Sequence, residues 1–278
     1  MSDFEAFLSE YFNDEFASNV KEAMKYTFLA GGKHVRSRIL LSLLADYGVN
    51  PKVGYHAAIA LEMIHSYSLI HDDLPAMDND DIRRGKPSNH KQFGESTAIL
   101  AGDGLLTEAF HCISKADADA SAIVEMIQIL SQNAGYRGMI FGQELDMKAN
   151  QEKNSIDQVK MIDYFKTGNL FIAALKMAAI LANKKEDFPL LEKVGTSIGI
   201  AFQIQDDILE EICSEEQMGK TKSDKENEKV TYLSLLGLVE AQREMNYYYE
   251  RACFDIKKLD LQTSELNDLI TTVKERQK

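Results

Sequence analysis

The sequence predicts an all-α fold, a single-domain bundle of roughly ten helices, and three observations predict it. Only four prolines (Pro51, Pro75, Pro87 and Pro189) interrupt 278 residues, and the strong helix formers Ala, Leu, Met, Glu and Lys are abundant between them. Apolar residues recur at the 3.6-residue spacing of a helix, while alternating β patterns are hard to find. Turn residues cluster in a few places and leave short connections. Helices joined in this way bury their apolar stripes against one another.

The elements follow in chain order. The opening stretch "MSDFEAFLSEYF" has neither the basic start nor the continuous apolar run of a secretory signal. Gly31-Gly32 ends one helix and releases "KHVRSRILLSLL", in which Leu40, Leu41, Leu43 and Leu44 form an apolar stripe. After the turn Gly48-Val49-Asn50-Pro51 comes "YHAAIALEMIHSYSLIHDD". That helix should end near Leu74, because the residue before Pro75 is biased out of the α region. A loop over 79–88 and a turn over 117–119 precede a second stripe of Ile123, Met126, Ile127 and Leu130. The longest apolar stretch, "LFIAALKMAAILA", is interrupted by Lys176 and is too short to span a bilayer. Beyond the turn at 183–189, Ile200, Ile204 and Ile208 make a third stripe, and the polar segment 214–229 follows. No repeat, low-complexity tract or linker divides the chain, so one domain over 1–278 is expected.

Composition narrows the function. Hydrophobic residues make up 45% of the chain, enough for a sizeable core. A net charge of −13 argues against general affinity for nucleic-acid backbone. Anionic substrates stay possible, because a basic cluster or a bound metal inverts the field locally. Cys112, Cys213 and Cys253 are odd in number and in no metal-ligand spacing. They predict reduced thiols in a soluble, cytoplasmic protein.

Two acidic clusters stand out. Asp72 and Asp73 end the first apolar helix, where the helix dipole disfavours carboxylates, and Asp78, Asp80 and Asp81 crowd the following loop. In "GIAFQIQDDILEEI", Gln203, Asp206, Asp207 and Glu210 fall at i, i+3, i+4 and i+7, one helical stripe beside Ile200, Ile204 and Ile208. One acidic turn alone reads most simply as a solvated loop. Two clusters, each closing an apolar helix, suggest carboxylates facing one another across a cavity, where unpaired charge is expensive. All-oxygen ligation points to Mg²⁺, which completes its shell with water and phosphate oxygens. Basic groups complete the pattern. Lys33 and Arg36 should lie in the first turn after Gly31-Gly32, a place suited to cations only if an anion sits between them and the free N–H groups. Arg83 and Arg84 can chelate phosphate, and Lys166, Lys220, Lys222 and Lys229 add donors.

The motifs "GGKHVRSR", "EMIHSYSLIHDDLPAMDNDDIRRGKPSNH", "GMIFGQELDM", "YFKTGNLF", "FQIQDDILE" and "EKVTYLSLLG" run nearly end to end. In this order they resemble the head-to-tail trans-prenyl diphosphate synthases, most nearly the bacterial farnesyl diphosphate synthases. The resemblance implies the isoprenoid synthase fold, a helical bundle around a central cavity. It implies condensation of isopentenyl diphosphate with dimethylallyl and geranyl diphosphates to farnesyl diphosphate and pyrophosphate, with a geranylgeranyl (C20) product as the alternative. Asp72, Asp78 and Asp206 would hold three Mg²⁺ ions, with Mn²⁺ a possible substitute, supported by Asp73, Asp207, Glu210, Gln143 and Asp146. Arg83, Lys166 and Lys220 would contact the allylic diphosphate, and Lys33, Arg36, His65 and Arg84 the isopentenyl diphosphate. Thr167 and Gln203 would line the allylic chain as dipoles toward a carbocation. Tyr67, beside Ser68, lies five residues before Asp72, about 7.5 Å back along the helix; there it resembles the floor that stops growth at C15. The family is usually a homodimer.

Four positions depart from the family pattern. Where GGKRxRP is usual, His34 and Ser37 replace an arginine and the proline; Glu210 stands for an aspartate, and Asn169 for a small residue. Other readings explain less. An HD-type metal phosphohydrolase accounts for His71-Asp72 and leaves the second cluster idle. A terpene cyclase needs no isopentenyl site, and a regulatory subunit should lack one aspartate motif.

Overall fold

The computed structural model describes residues 2–149, 155–212 and 230–276. In chain order these form α1 (Ser2–Glu10), α2 (Asn19–Phe28), α3 (Val35–Asp46), α4 (Tyr55–Asp72), α5 (Asn89–Phe93), α6 (Glu95–Ser114) and α7 (Ala120–Ala134). They continue with α8 (Met139–Ala149), α9 (Ile156–Asp163), α10 (Asn169–Leu181), α11 (Phe188–Ile212), α12 (Tyr232–Leu236), α13 (Leu238–Ile256) and α14 (Glu265–Lys274). Twelve of these fourteen helices have eight residues or more, so the all-α expectation holds. Lys220, Lys222, Lys229 and Cys213 lie outside the described residues.

The longest apolar stretch becomes the hub. In α10 nearly every side chain from Asn169 to Ile180 is buried, and the helix packs against α3, α4, α7 and α11. The Leu stripe of α3 and the Ala57–Ile64 face of α4 close around it. A second cluster gathers Val159, Ile200, Ile204, Ile208, Tyr232 and Ala241, so the isoleucine stripe of α11 packs against α9, α12 and α13.

Helix α4 ends at Asp72 with Asp73 as its cap, close to Leu74 as Pro75 implies. Other local features depart from the sequence expectation. Helix α3 begins only at Val35, after His34 in a left-handed conformation (φ 45°), so Lys33 precedes the helix and Arg36 alone lies in its first turn. The loop after Asp81 contains a two-residue hairpin, β1 (Ile82–Arg83) paired antiparallel with β2 (Lys86–Pro87). It is too short to leave an alternating pattern. Between α9 and α10 the chain makes a π-helical turn over Tyr164–Gly168. Glycines permit it. A Cβ on Gly142 of α8 would stand 2.1 Å from the Lys166 nitrogen, and one on Gly199 of α11 would stand 2.4 Å from the Gly168 Cα. Both helices therefore press directly on this turn. Asn169 donates its side-chain amide to the carbonyls of Tyr164 (3.4 Å) and Phe165 (3.2 Å), which gives this departure a role in supporting the turn.

The C-terminal helix is tied at both ends. Asp46, at the end of α3, accepts from the backbone of Glu265 (2.8 Å) and Leu266 (2.9 Å), a carboxylate at a helix N-terminus as the dipole favours. At the other end Gln205 of α11 donates to the carbonyls of Val273 (3.1 Å) and Lys274 (2.9 Å). These bonds aim Arg276 back into the bundle.

Candidate active site

The helices enclose a cavity of about 1060 Å³. Its acidic wall comes from the end of α4, the loop after it, and α11. Asp72 and Asp78 both line it, linked by a bond from the Asp78 N–H to the Asp72 carbonyl (2.9 Å). Burial pushes the Asp72 carboxyl up to about 6, against the pull of Lys166. Asp73 and Asp80 are buried and pair with Arg83, which donates from Nε to Asp73 (2.9 Å) and from Nη2 to Asp80 (3.2 Å). The crowded aspartates thus have different fates: Asp73 and Asp80 pair with Arg83, Asp81 pairs with Lys91 (2.8 Å), and Asp72 and Asp78 line the cavity.

The α11 stripe splits in the same way. Gln203, Asp206 and Glu210 line the cavity. Asp207 is buried, accepting from Gln203 Nε2 (3.3 Å) and from the Tyr232 backbone (3.2 Å), where it helps start α12. Lys166, presented by the π turn, donates to buried Asp146 (2.6 Å), while Thr167 donates to Gln203 Oε1 (3.3 Å). Gln143 of α8 lines the cavity, and its buried Nε2 has no partner among the described residues.

Cations also line the cavity, from the segment around the start of α3 and from the hairpin. Lys33, Arg36, His65 and Arg84 are all part of this lining. The Arg36 guanidinium packs on the Phe171 ring, 4.9 Å from its centroid, and its buried Nε has no partner among the described residues. Arg84 donates to the Gly31 carbonyl. Burial, together with the charges of Arg36, Arg84, Arg83 and His34, holds His65 well below the ordinary histidine range, so it is neutral there. Burial and the nearby Arg276 also lower Lys33. Farther down, Tyr67 lies edge-on to His71 (5.8 Å between centroids), and burial pushes its hydroxyl up to about 12. Ser68 borders the same space.

This arrangement can be set beside known proteins. The polyprenyl synthetase family model matches residues 17–262. The chain belongs to that family. As a polyprenyl synthetase it is 44% identical to the farnesyl diphosphate synthase of Micrococcus luteus over 94% of this chain and 90% of that one. It is 44% identical to the Bacillus subtilis enzyme of the same name, over 92% and 89%. Plant geranylgeranyl pyrophosphate synthases match over less of the chain, 81% or less. Among solved structures, the geranyltransferase of Helicobacter pylori, described as complexed with magnesium and isoprenyl diphosphate, superposes with a TM-score of 0.87 at 33% identity. That match covers 98% of this chain and 93% of the other.

Arg276 and Glu62 are among the cavity residues of this polyprenyl synthetase that the sequence motifs do not single out. Arg276 lies over the Phe202 ring (4.0 Å to the centroid) and ion-pairs with Asp206. A lone arginine near the end of the chain gives no motif to find it by. Glu62 did leave a signal, a single acid inside the apolar run "AAIALEMI".

Proposed function

We propose that this chain is a prenyltransferase that condenses isopentenyl diphosphate head-to-tail with dimethylallyl and then geranyl diphosphate, releasing pyrophosphate and ending at farnesyl diphosphate. One observation carries the reading: a single cavity gathers the carboxylates Asp72, Asp78 and Asp206 together with the cations Lys33, Arg36 and Arg84. The cation-rich side suits a diphosphate held directly. The acidic side suits one held through metal.

The donor set fits magnesium. Asp72, Asp78 and Asp206 offer only oxygen, and the burial that raises Asp72 is a cost that a dication offsets. Among the described residues no three acidic or histidine side chains converge on one point, so ions here need oxygens from water and the substrate's diphosphate, as Mg²⁺ prefers. Asp72 and Asp78 hold two ions and Asp206 the third in this reading; Mn²⁺ could substitute. When bound, the metal supplies Lewis-acid neutralisation of the leaving diphosphate.

The protein's own residues do the rest. Lys166, anchored by Asp146, and Arg83, anchored by Asp73 and Asp80, present fixed positive charge to the allylic diphosphate, and such preorganised charge is effective where negative charge develops. Lys33, Arg36, Arg84 and neutral His65 hold the isopentenyl diphosphate. Thr167 and Gln203 aim oxygen dipoles at the allylic carbons. Once the allylic C–O bond ionises, the isopentenyl double bond supplies the electrons of the new C–C bond and a proton is lost to the departing pyrophosphate. The apolar walls keep water from the cation. Tyr67 is the floor that limits the product to C15. The protein works as a homodimer in the cytoplasm; exposed Ile99 and Leu100 on α6 are surface for a second copy, which light scattering of the pure protein tests.

The deciding experiment incubates the protein with isopentenyl and dimethylallyl diphosphates and Mg²⁺, then sizes the alcohols released by phosphatase. A dominant C15 alcohol is expected. A C20 product would keep the chemistry and move the length limit away from Tyr67. No condensation with either dimethylallyl or geranyl diphosphate would overturn the reading.

A further inference from the structure

Two of the departures from the family pattern, His34 and Ser37, meet on one side chain. Glu62 of α4 is 6% exposed. His34 Nδ1 lies 3.0 Å from one of its carboxylate oxygens, and Ser37 donates to the other at 2.6 Å. A buried carboxylate needs such partners, and here both come from the positions where the family pattern has an arginine and a proline.

Charged and titratable groups surround this cluster from four elements. Lys33 and Arg36 flank His34 on its own segment, and α4 contributes Glu62 and His65. The hairpin contributes Arg83 and Arg84, and α1 contributes Glu5. Lys33, Arg36 and Arg84 are the cations assigned above to isopentenyl diphosphate, and the inference rests on that reading. Glu62 attracts both Arg36 and Arg84, so its charge competes with the substrate for them. An arginine at position 34 cancels that charge at every pH. A histidine cancels it only while protonated.

We propose that His34 is a positioning residue that makes isopentenyl diphosphate affinity proton-dependent, by deciding whether Glu62 is neutralised locally or draws on Arg36 and Arg84. The protonated imidazole answers Glu62 and leaves both arginines for the diphosphate. The neutral imidazole leaves the site one positive charge poorer. The hydrogen bond to Glu62 raises His34 above its ordinary value, against the effect of burial, which places the change on the alkaline side of 6.5. Ser37 holds the second carboxylate oxygen in both states. The allylic side, around Lys166 and Asp146, uses different residues and does not share the dependence.

The test measures KM for isopentenyl and geranyl diphosphates at saturating Mg²⁺ between about pH 6.5 and 9, in the wild type and in His34→Arg. Ionisation of the substrates and of Lys33 is common to both proteins, so the wild-type to variant ratio isolates position 34. The ratio for isopentenyl diphosphate is expected to rise with pH by roughly fivefold or more, while the ratio for geranyl diphosphate stays flat. Flat ratios for both substrates would overturn the inference, and so would ratios that move together, which would mark a general structural effect. Should His34→Arg fail to fold, His34→Gln keeps a donor to Glu62 without a titrating charge. It is expected to hold the high isopentenyl KM across the range, and a wild-type profile in it would overturn the inference. Absence of condensation in the wild type at every pH would overturn the proposed function itself, a distinguishable result.

Discussion

The two sides of the cavity handle charge in opposite ways. On the α4–α11 side, Asp72, Asp78, Asp206 and Glu210 gather carboxylates at the cavity, with Arg276 paired to Asp206 and burial raising Asp72. On the α3 side, Lys33, Arg36 and Arg84 surround a neutral His65, with Glu62 as a buried acid among them. The difference teaches how one cavity can hold two diphosphates without confusing them. In the proposed reading the cationic side would bind its anion directly, whereas the acidic side would bind one only together with metal ions. Metal dependence should therefore belong to one substrate far more than to the other.

The largest effect that would break this comparison is on the acidic side. Asp72→Asn is expected to lower kcat by about a hundred- to a thousandfold and to raise the Mg²⁺ concentration needed for half-maximal rate, with KM for isopentenyl diphosphate little changed. Steady-state kinetics across a Mg²⁺ titration measures all three; a variant impaired only in isopentenyl binding would dissolve the distinction. On the cationic side, Arg36→Ala removes a partly buried charge from the other substrate. The loss is about 2 kcal/mol or more, roughly a 30-fold rise in isopentenyl KM, without a change in metal requirement. The smallest effect on rate sharpens the picture below both sites. Tyr67→Ala should keep condensation and lengthen the product beyond C15, as chromatography of the released alcohols would reveal; an unchanged C15 product would take Tyr67 out of this role.

The sequence was legible where chemistry comes in runs. The all-α class followed from periodicity and scarce prolines, and the aspartate pairs announced themselves by crowding. What adjacent letters could not tell was which member of each pair faces inward. Asp72 and Asp73 are neighbours, yet only Asp73 meets Arg83, because a helix end turns successive residues to different sides. Asp206 and Asp207 part in the same way, one toward the cavity and one toward the Tyr232 backbone. Arg276 was invisible because its position depends on Asp46 and Gln205, residues remote from it in sequence. The roles of His34 and Ser37 became readable only once Glu62 was seen between them. As separate substitutions they had no common partner; in space they share one carboxylate.

The π turn at Tyr164–Gly168 has a consequence for how the whole molecule is geared. Each residue of an α-helix advances the facing direction by about 100°, and a π turn adds one residue to the cycle. The chain entering it as α9 faces Val159 toward the cluster of α11, α12 and α13, while the chain leaving it as α10 faces the central core. One nearly continuous rod thus serves two cores, and the extra residue is the change of phase between them. Lys166 and Thr167 sit on that phase change. Their alignment is therefore set by two bodies of packing at once, so a disturbance in either one is transmitted to the rim of the cavity as rotation.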